Sequence, residues 1–239
     1  MTRHDGWDAS ADAWVRELGA DGDFARVSVL DRPMLARIDA APRSIALDVG
    51  CGEGRFCRKI AQRGIRAVGV DAAPPMIAAA LRRDPDGEYL VADAAALPFK
   101  AASFDVVVAY LSLLDVDDAA SAIAEMARVL TPGGMLLVAN LNGFVTANPH
   151  NGWIKAGEKS LFPIDNYLSP RPEWVEWRGI RVRNWHRPLR DYMRAFLGAG
   201  LRLTQFDEPA PHGGEPERAS RYTRVPYFVL MEWHKDAQP

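Results

Sequence analysis

The stretch Ile45-Ala46-Leu47-Asp48-Val49-Gly50-Cys51-Gly52-Glu53-Gly54-Arg55-Phe56 restricts the fold more than any other part of the chain. It reads as an apolar strand that ends in an acid, a turn with glycine at three alternate positions, and the first residues of a helix. Glycine lets the backbone take positive φ and lets a ligand approach main chain with no Cβ in the way. A strand, a Gly-rich turn and a helix in that order form the nucleotide corner of an open parallel α/β sheet.

The residues that follow keep this rhythm. Strands are expected at 67–71, 88–93, 104–110 and 135–140, and helices at 55–62, 74–83 and 118–130. The run 104–110 is continuously apolar after Asp105, as in a strand covered on both faces. Alternation at this pace predicts βαβ units and a mostly parallel sheet. Before the corner, a helix is expected over 7–18 with Ser10 as its cap, and another from Asp31. Residues 141–187 break the rhythm and hold Trp153, Trp174, Trp177 and Trp185 among several arginines. A long aperiodic stretch inside a compact domain reads as a lid or binding insertion. A helix over 188–197, a strand at 201–206, a loop over 208–221 and a strand at 226–233 close the chain, predicting an antiparallel pair at the sheet edge.

Bulk properties exclude several classes. With 239 residues the chain can bury one large α/β core. A formal net charge of -2 argues against nucleic-acid binding driven by global charge. The N-terminal residues from Met1 lack the apolar core of an export signal, and no apolar run reaches the ~20 residues of a membrane span. Two cysteines, Cys51 and Cys57, predict neither a disulfide framework nor a zinc site, and reduced thiols fit a cytoplasmic setting. No metal is expected, and the oligomeric state is left open.

The spacing at the corner also bears on the nucleotide. A dinucleotide fingerprint needs G-x-G-x-x-G, and its third glycine would fall on Arg55. The second strand ends at Asp71, where an acid can accept both hydroxyls of a ribose. The third ends at Asp93-Ala94, where a carboxylate can accept from an adenine amino group. Both lie on the carboxyl edge at which such sheets bind ligands.

In these motifs the chain resembles the class I S-adenosylmethionine-dependent methyltransferases, in particular the small-molecule group of ubiquinone and menaquinone biosynthesis. Four matches carry the resemblance: Leu47 to Gly54, Val68-Gly69-Val70-Asp71, Ala92-Asp93-Ala94 with Leu97-Pro98-Phe99, and Arg128 to Gly134. It implies a Rossmann-like α/β fold. Its seven-stranded, mostly parallel sheet has an antiparallel last strand and helices on both faces. The single domain would divide into an N-terminal helical cap (1–44), a cofactor-binding core (45–140), a substrate or lid insertion (141–187) and a C-terminal helix with an antiparallel strand pair (188–239). The resemblance implies S-adenosylmethionine as cofactor. Gly50, Gly52 and Gly54 would line its methionine part, Asp71 its ribose, and Asp93 with Ala94 its adenine. Met76 would pack on the base, Tyr110 and Leu111 would border the sulfonium, and Trp14 would cover it. Asp48, Cys51 and Ala72 complete the expected cofactor set.

Methyl transfer from a sulfonium is an in-line displacement, so the demands on the protein are positioning and desolvation. A base is needed only where the acceptor must lose a proton. His186 is the first candidate and His150 the second. Asp115 and Asp117 are read either as acceptor contacts or as caps of the helix at Asp118. Trp153, Tyr167 and Trp185 are the candidate acceptor contacts. The expected activity is transfer to a small molecule. The alternatives are a nucleic-acid or protein methyltransferase and a cofactor-binding module without activity. Ala109-Tyr110-Leu111-Ser112 lacks the paired prolines that amino-methylating DNA enzymes place after the fourth strand.

Overall fold

The computed structural model describes residues 5–150 and 152–236. The export-signal expectation at residues 1–4, and Asn151 in the expected turn at 148–152, lie outside the described residues.

In chain order, α1 (Trp7–Leu18) leads through a π-helical segment (Arg26–Leu30) into α2 (Asp31–Asp39). The alternating region comprises β1 (Ile45–Val49), α3 (Arg55–Ala61), β2 (Arg66–Asp71), α4 (Pro74–Arg83), β3 (Glu88–Val91), β4 (Phe104–Tyr110), α5 (Ala119–Val129) and β5 (Leu130–Leu141). After it come α6 (Gly143–Thr146) and two hairpins, β6 (Ile154–Ala156) with β7 (Lys159–Leu161) and β8 (Arg171–Trp177) with β9 (Ile180–His186). The chain closes with α7 (Leu189–Gly198), β10 (Leu201–Asp207), α8 (Pro216–Arg224) and β11 (Phe228–Lys235).

The seven-stranded sheet has the order β10-β11-β5-β4-β1-β2-β3. The pairs β2–β3, β1–β2, β1–β4 and β4–β5 are parallel, whereas β11 runs antiparallel to both β5 and β10. The period of two along a strand explains how both faces are filled. In β4, Val107 and Ala109 join a core with Ile123, Met126, Phe196 and Trp233. Val106, Val108 and Tyr110 point the other way, into a core with Leu30, Met34, Phe56 and Ile60.

Local signals account for most element ends. Pro74 and Pro75 open α4, where missing N–H groups cost nothing. Asp118 caps α5 by accepting from the Ser121 N–H at 2.9 Å. Neither Asp115 nor Asp117 takes that role.

Three expectations are corrected. α1 begins at Trp7 with Gly6 as its cap. Ser10 is buried inside the helix, where its hydroxyl bonds the carbonyl of Arg181 at 3.1 Å and the N–H of Arg181 at 3.0 Å. The 141–187 stretch, read as aperiodic, contains two hairpins. Trp177 pairs with Ile180 across Arg178-Gly179, both at positive φ, the turn geometry that matches strand twist in a two-residue hairpin. The stretch read as loop holds α8, a helix without buried residues, opened by Pro216 and carrying a Glu217–Arg221 pair at 3.2 Å. Among the described residues, no helix is long and apolar enough to cross a membrane.

Candidate functional site

A cavity of about 700 Å³ opens at the carboxyl ends of β1, β2 and β4. Its floor is the Gly turn. The N–H groups of Gly50 and Cys51 both donate to the carbonyl of Val70, at 2.8 and 2.9 Å, which pins the turn to β2. Asp71 fixes it further: one carboxylate oxygen accepts from Gly52 N at 2.9 Å and the other from Ala73 N at 2.9 Å. The acid at the end of β2 therefore sets the turn and the entry to α4 as well as facing the cavity.

The three glycines have different duties, although all have positive φ. A Cβ on Gly50 would overlap that of Ser112, whose hydroxyl donates to the Val49 carbonyl at 2.6 Å. A Cβ on Gly54 would lie 2.6 Å from the Tyr89 ring, outside the cavity. At Gly52 the nearest atom is Trp14 Nε1 at 3.9 Å, so that position faces open space. Gly50→Ala should cost several kcal/mol of stability through overlap. Gly52→Ala should cost only about 1–2 kcal/mol through its left-handed backbone but fill part of the cavity. Thermal melts and ligand titrations of the two variants separate these effects.

Asp48 is 2 % exposed and lines the same cavity. The Cys57 thiol donates to one carboxyl oxygen at 3.6 Å, and the other has no hydrogen-bond partner among the described residues. Burial pushes its pKa up to about 7, against the Cys57 bond and with smaller contributions from the Asp71 and Glu53 charges. A half-satisfied buried carboxyl beside a cavity is a site prepared for a cationic or hydrogen-bonding ligand group.

The walls come from both ends of the chain. Trp7 and Trp14 meet edge to face at 5.2 Å, and Trp177 approaches Trp14 at 6.3 Å. Met76, against which Trp7 and Trp14 pack, lines the cavity together with Ala72 and Ala94 from the β2 and β3 ends. Arg55, where a dinucleotide turn would need glycine, is buried and ion-paired with Asp31, and its Nε donates to the Asp21 carbonyl at 2.6 Å. It ties the N-terminal segment to the turn. Tyr110 presents its ring, because its hydroxyl donates to Asp31 at 2.9 Å. Leu111 lines the cavity at φ 55, left-handed backbone that a β-carbon disfavours and that collects at functional sites. Asp115 also lines it, accepting from the Asn184 amide and the Trp7 indole; burial raises its pKa well above the carboxylate range, with these bonds opposing.

Several expected residues lie elsewhere. His186 is buried away from the cavity. Its Nε2 donates to the Tyr167 carbonyl at 2.8 Å, which leaves Nδ1 to accept from the Thr146 hydroxyl at 2.7 Å. Burial lowers its pKa and favours this neutral form, so both nitrogens are engaged in structure. Tyr167 receives the Leu189 N–H on its hydroxyl at 3.2 Å, and Trp185 donates to Asp117 at 2.8 Å; neither lines the cavity. Trp153 stands one residue behind the wall, donating to the hydroxyl of Tyr227, which does line it. Asp93 is exposed beside Ala92 and Ala94, with one oxygen accepting from Ala95 N at 2.9 Å. His150 is exposed in the turn closed by Asn148. Sequence reasoning missed Phe24, Arg26, Arg218, Tyr222 and Tyr227 on the wall, because their elements carry no recognisable motif.

Residues 47–138 match the model of a family described as a methyltransferase domain. Over 154 residues the chain is 37 % identical to a demethylmenaquinone methyltransferase of Renibacterium salmoninarum, covering 64 % of this chain and 65 % of that one. It is 36 % identical over 159 residues to a malonyl-[acyl-carrier protein] O-methyltransferase of Salmonella typhimurium, covering 64 % and 63 %. A crystal structure of an S-adenosylmethionine-dependent methyltransferase from Mesorhizobium loti superposes with a TM-score of 0.75 at 25 % identity, covering 90 % of this chain and all of that one. Residues 47–138 thus carry a methyltransferase domain, and the chain around them resembles S-adenosylmethionine-dependent methyltransferases in fold. The matched region spans just under two thirds of the two curated relatives. Three features of the cavity fit S-adenosylmethionine: the unsatisfied Asp48 oxygen, the open face at Gly52, and a carboxylate at the end of β2 beside buried apolar side chains.

Proposed function

We propose that this methyltransferase transfers the methyl group of S-adenosylmethionine to a small-molecule acceptor. The observation that carries the reading is one cavity holding the Gly52 face, the Asp71 carboxylate and the half-satisfied Asp48, and extending past them to Leu141 and Phe228. When bound, the cofactor supplies an electrophilic methyl on a sulfonium. In this reading Asp71 takes the ribose hydroxyls, Met76 and Ala94 flank the base, and Asp48 meets the amino group. Trp7, Trp14 and Trp177 exclude water, and Tyr110 and Leu111 border the reacting end. The protein's contribution is alignment and desolvation, each of which lowers the barrier without a bond to the protein. The two relatives are named for different acceptors, so the family name leaves this chain's acceptor to its own walls.

The test is release of S-adenosylhomocysteine from S-adenosylmethionine across panels of small molecules, of DNA and RNA, and of protein. Release with a small molecule alone is expected. Release that depends on nucleic acid or protein, with none from small molecules, would contradict the reading.

A further inference from the structure

The cavity has two ends of different chemistry. The Gly52 and Asp71 end lies at β1 and β2. The other lies at Leu141 of β5 and Phe228 of β11. From β2 to β11 is four strand spacings, roughly 19 Å, and a cavity of that span is long enough to seat an acceptor beyond the nucleoside.

This far end is an aromatic slot. Tyr222 of α8 stacks on Tyr227 with centroids 4.2 Å apart and planes 23° from parallel. Phe24 meets Tyr222 at 5.1 Å, and Phe228 meets it at 5.9 Å. Leu141 and Val145 supply an aliphatic side. Flat rings stack well on such surfaces. One cation stands at the rim. Arg218 lines the cavity with its guanidinium 4.6 Å from the Phe24 centroid and hydrogen-bonded to Tyr222. Among the described residues no carboxylate is ion-paired with Arg218. Asp23, the nearby acid on the wall, is engaged by Arg26 at 3.0 Å. A guanidinium that stacks on an aromatic and has no carboxylate partner is well suited to a planar, bidentate anion.

Building on the proposed transfer, we propose that the acceptor is a planar aromatic acid, its ring held among Phe24, Tyr222 and Tyr227 and its carboxylate by Arg218. Because α8 buries no residue and Arg218 is exposed, Arg218→Gln removes the charge without touching the core.

The experiment uses two probes, 1-naphthoate and its uncharged counterpart 1-naphthylmethanol, titrated by calorimetry into protein saturated with S-adenosylhomocysteine. The proposal expects saturable binding of 1-naphthoate, weakened tenfold or more by Arg218→Gln. The same variant should change the affinity for 1-naphthylmethanol less than twofold and leave that for S-adenosylhomocysteine unchanged. It is overturned if 1-naphthoate binds no better than 1-naphthylmethanol, if the variant leaves 1-naphthoate binding intact, or if neither probe binds the loaded protein. Failure of S-adenosylhomocysteine itself to bind, read in the first titration, would instead remove the transfer reading and this proposal with it.

Discussion

Replacing Asp71 with alanine is expected to weaken S-adenosylhomocysteine binding by about 100-fold or more, the largest effect of any single change at this site. Two losses combine. In the proposed complex the carboxylate no longer meets the ribose. It also no longer holds Gly52 N and Ala73 N, each at 2.9 Å, so the turn that forms the cavity floor loses its anchor. Hydrogen bonds to a charged group contribute about 1.5–3 kcal/mol each, and every 1.4 kcal/mol is tenfold in affinity. Asp71→Asn should fall between, because an amide can accept from only one side and turns a donor toward the other N–H. Calorimetry gives the affinity, and a thermal melt separates lost binding from lost fold. An unchanged affinity in folded Asp71→Ala would show that the ligand does not use this carboxylate.

Asp48→Asn is expected to raise the stability of the free protein and lower its affinity for cofactor, with both effects depending on pH. The folded-state pKa of Asp48 is raised from an ordinary 3.8 to about 7. Between those values the folded protein binds a proton that the unfolded chain has released, so stability falls as pH rises and the contribution is lost as pH passes through about 7. Each pKa unit corresponds to about 1.4 kcal/mol, which makes the full effect a few kcal/mol at pH 8, small at pH 4 and absent only well below the ordinary 3.8. The asparagine variant escapes this loss and should be the more stable protein at pH 8. Binding runs the other way. A cofactor ammonium favours the ionised carboxyl, so affinity should rise from pH 6 to pH 8 in the native protein and stay flat and weaker in the variant. Denaturant melts and titrations at both pH values check the pair. Destabilisation that serves binding is a recurrent arrangement in functional sites.

The part of the fold that the sequence makes legible is the part written in local rules. The Gly turn, the acids ending β1 and β2, the Pro74-Pro75 start and the Asp118 cap all act within a few residues of themselves. The β10–β11 pair was legible because Leu201 to Phe206 alternates and Phe228 to Met231 is a continuous apolar run, but α8 between them was not, since a helix that buries nothing leaves no apolar stripe to read. The β8–β9 hairpin shows the same limit: Ile180 and Val182 face inward while the tryptophans beside them stay partly exposed, so composition hid the alternation. Ser10 and His186 failed for a different reason. Each is a polar side chain satisfied across the fold, Ser10 by Arg181 and His186 by Thr146 and Tyr167, and no local pattern distinguishes such a residue from a cap or a base. The Gly turn was therefore readable, whereas the aromatic slot, assembled from Phe24, Tyr222 and Tyr227, required the folded chain.

The most direct measurement is a calorimetric titration of the native protein with S-adenosylhomocysteine, set beside the same titration with NAD. The structure predicts saturable binding of one S-adenosylhomocysteine per chain and no binding of the dinucleotide, whose turn would need glycine where Arg55 ties down the N-terminal segment. Folded protein that ignores S-adenosylhomocysteine, or that binds NAD in its place, would contradict the account.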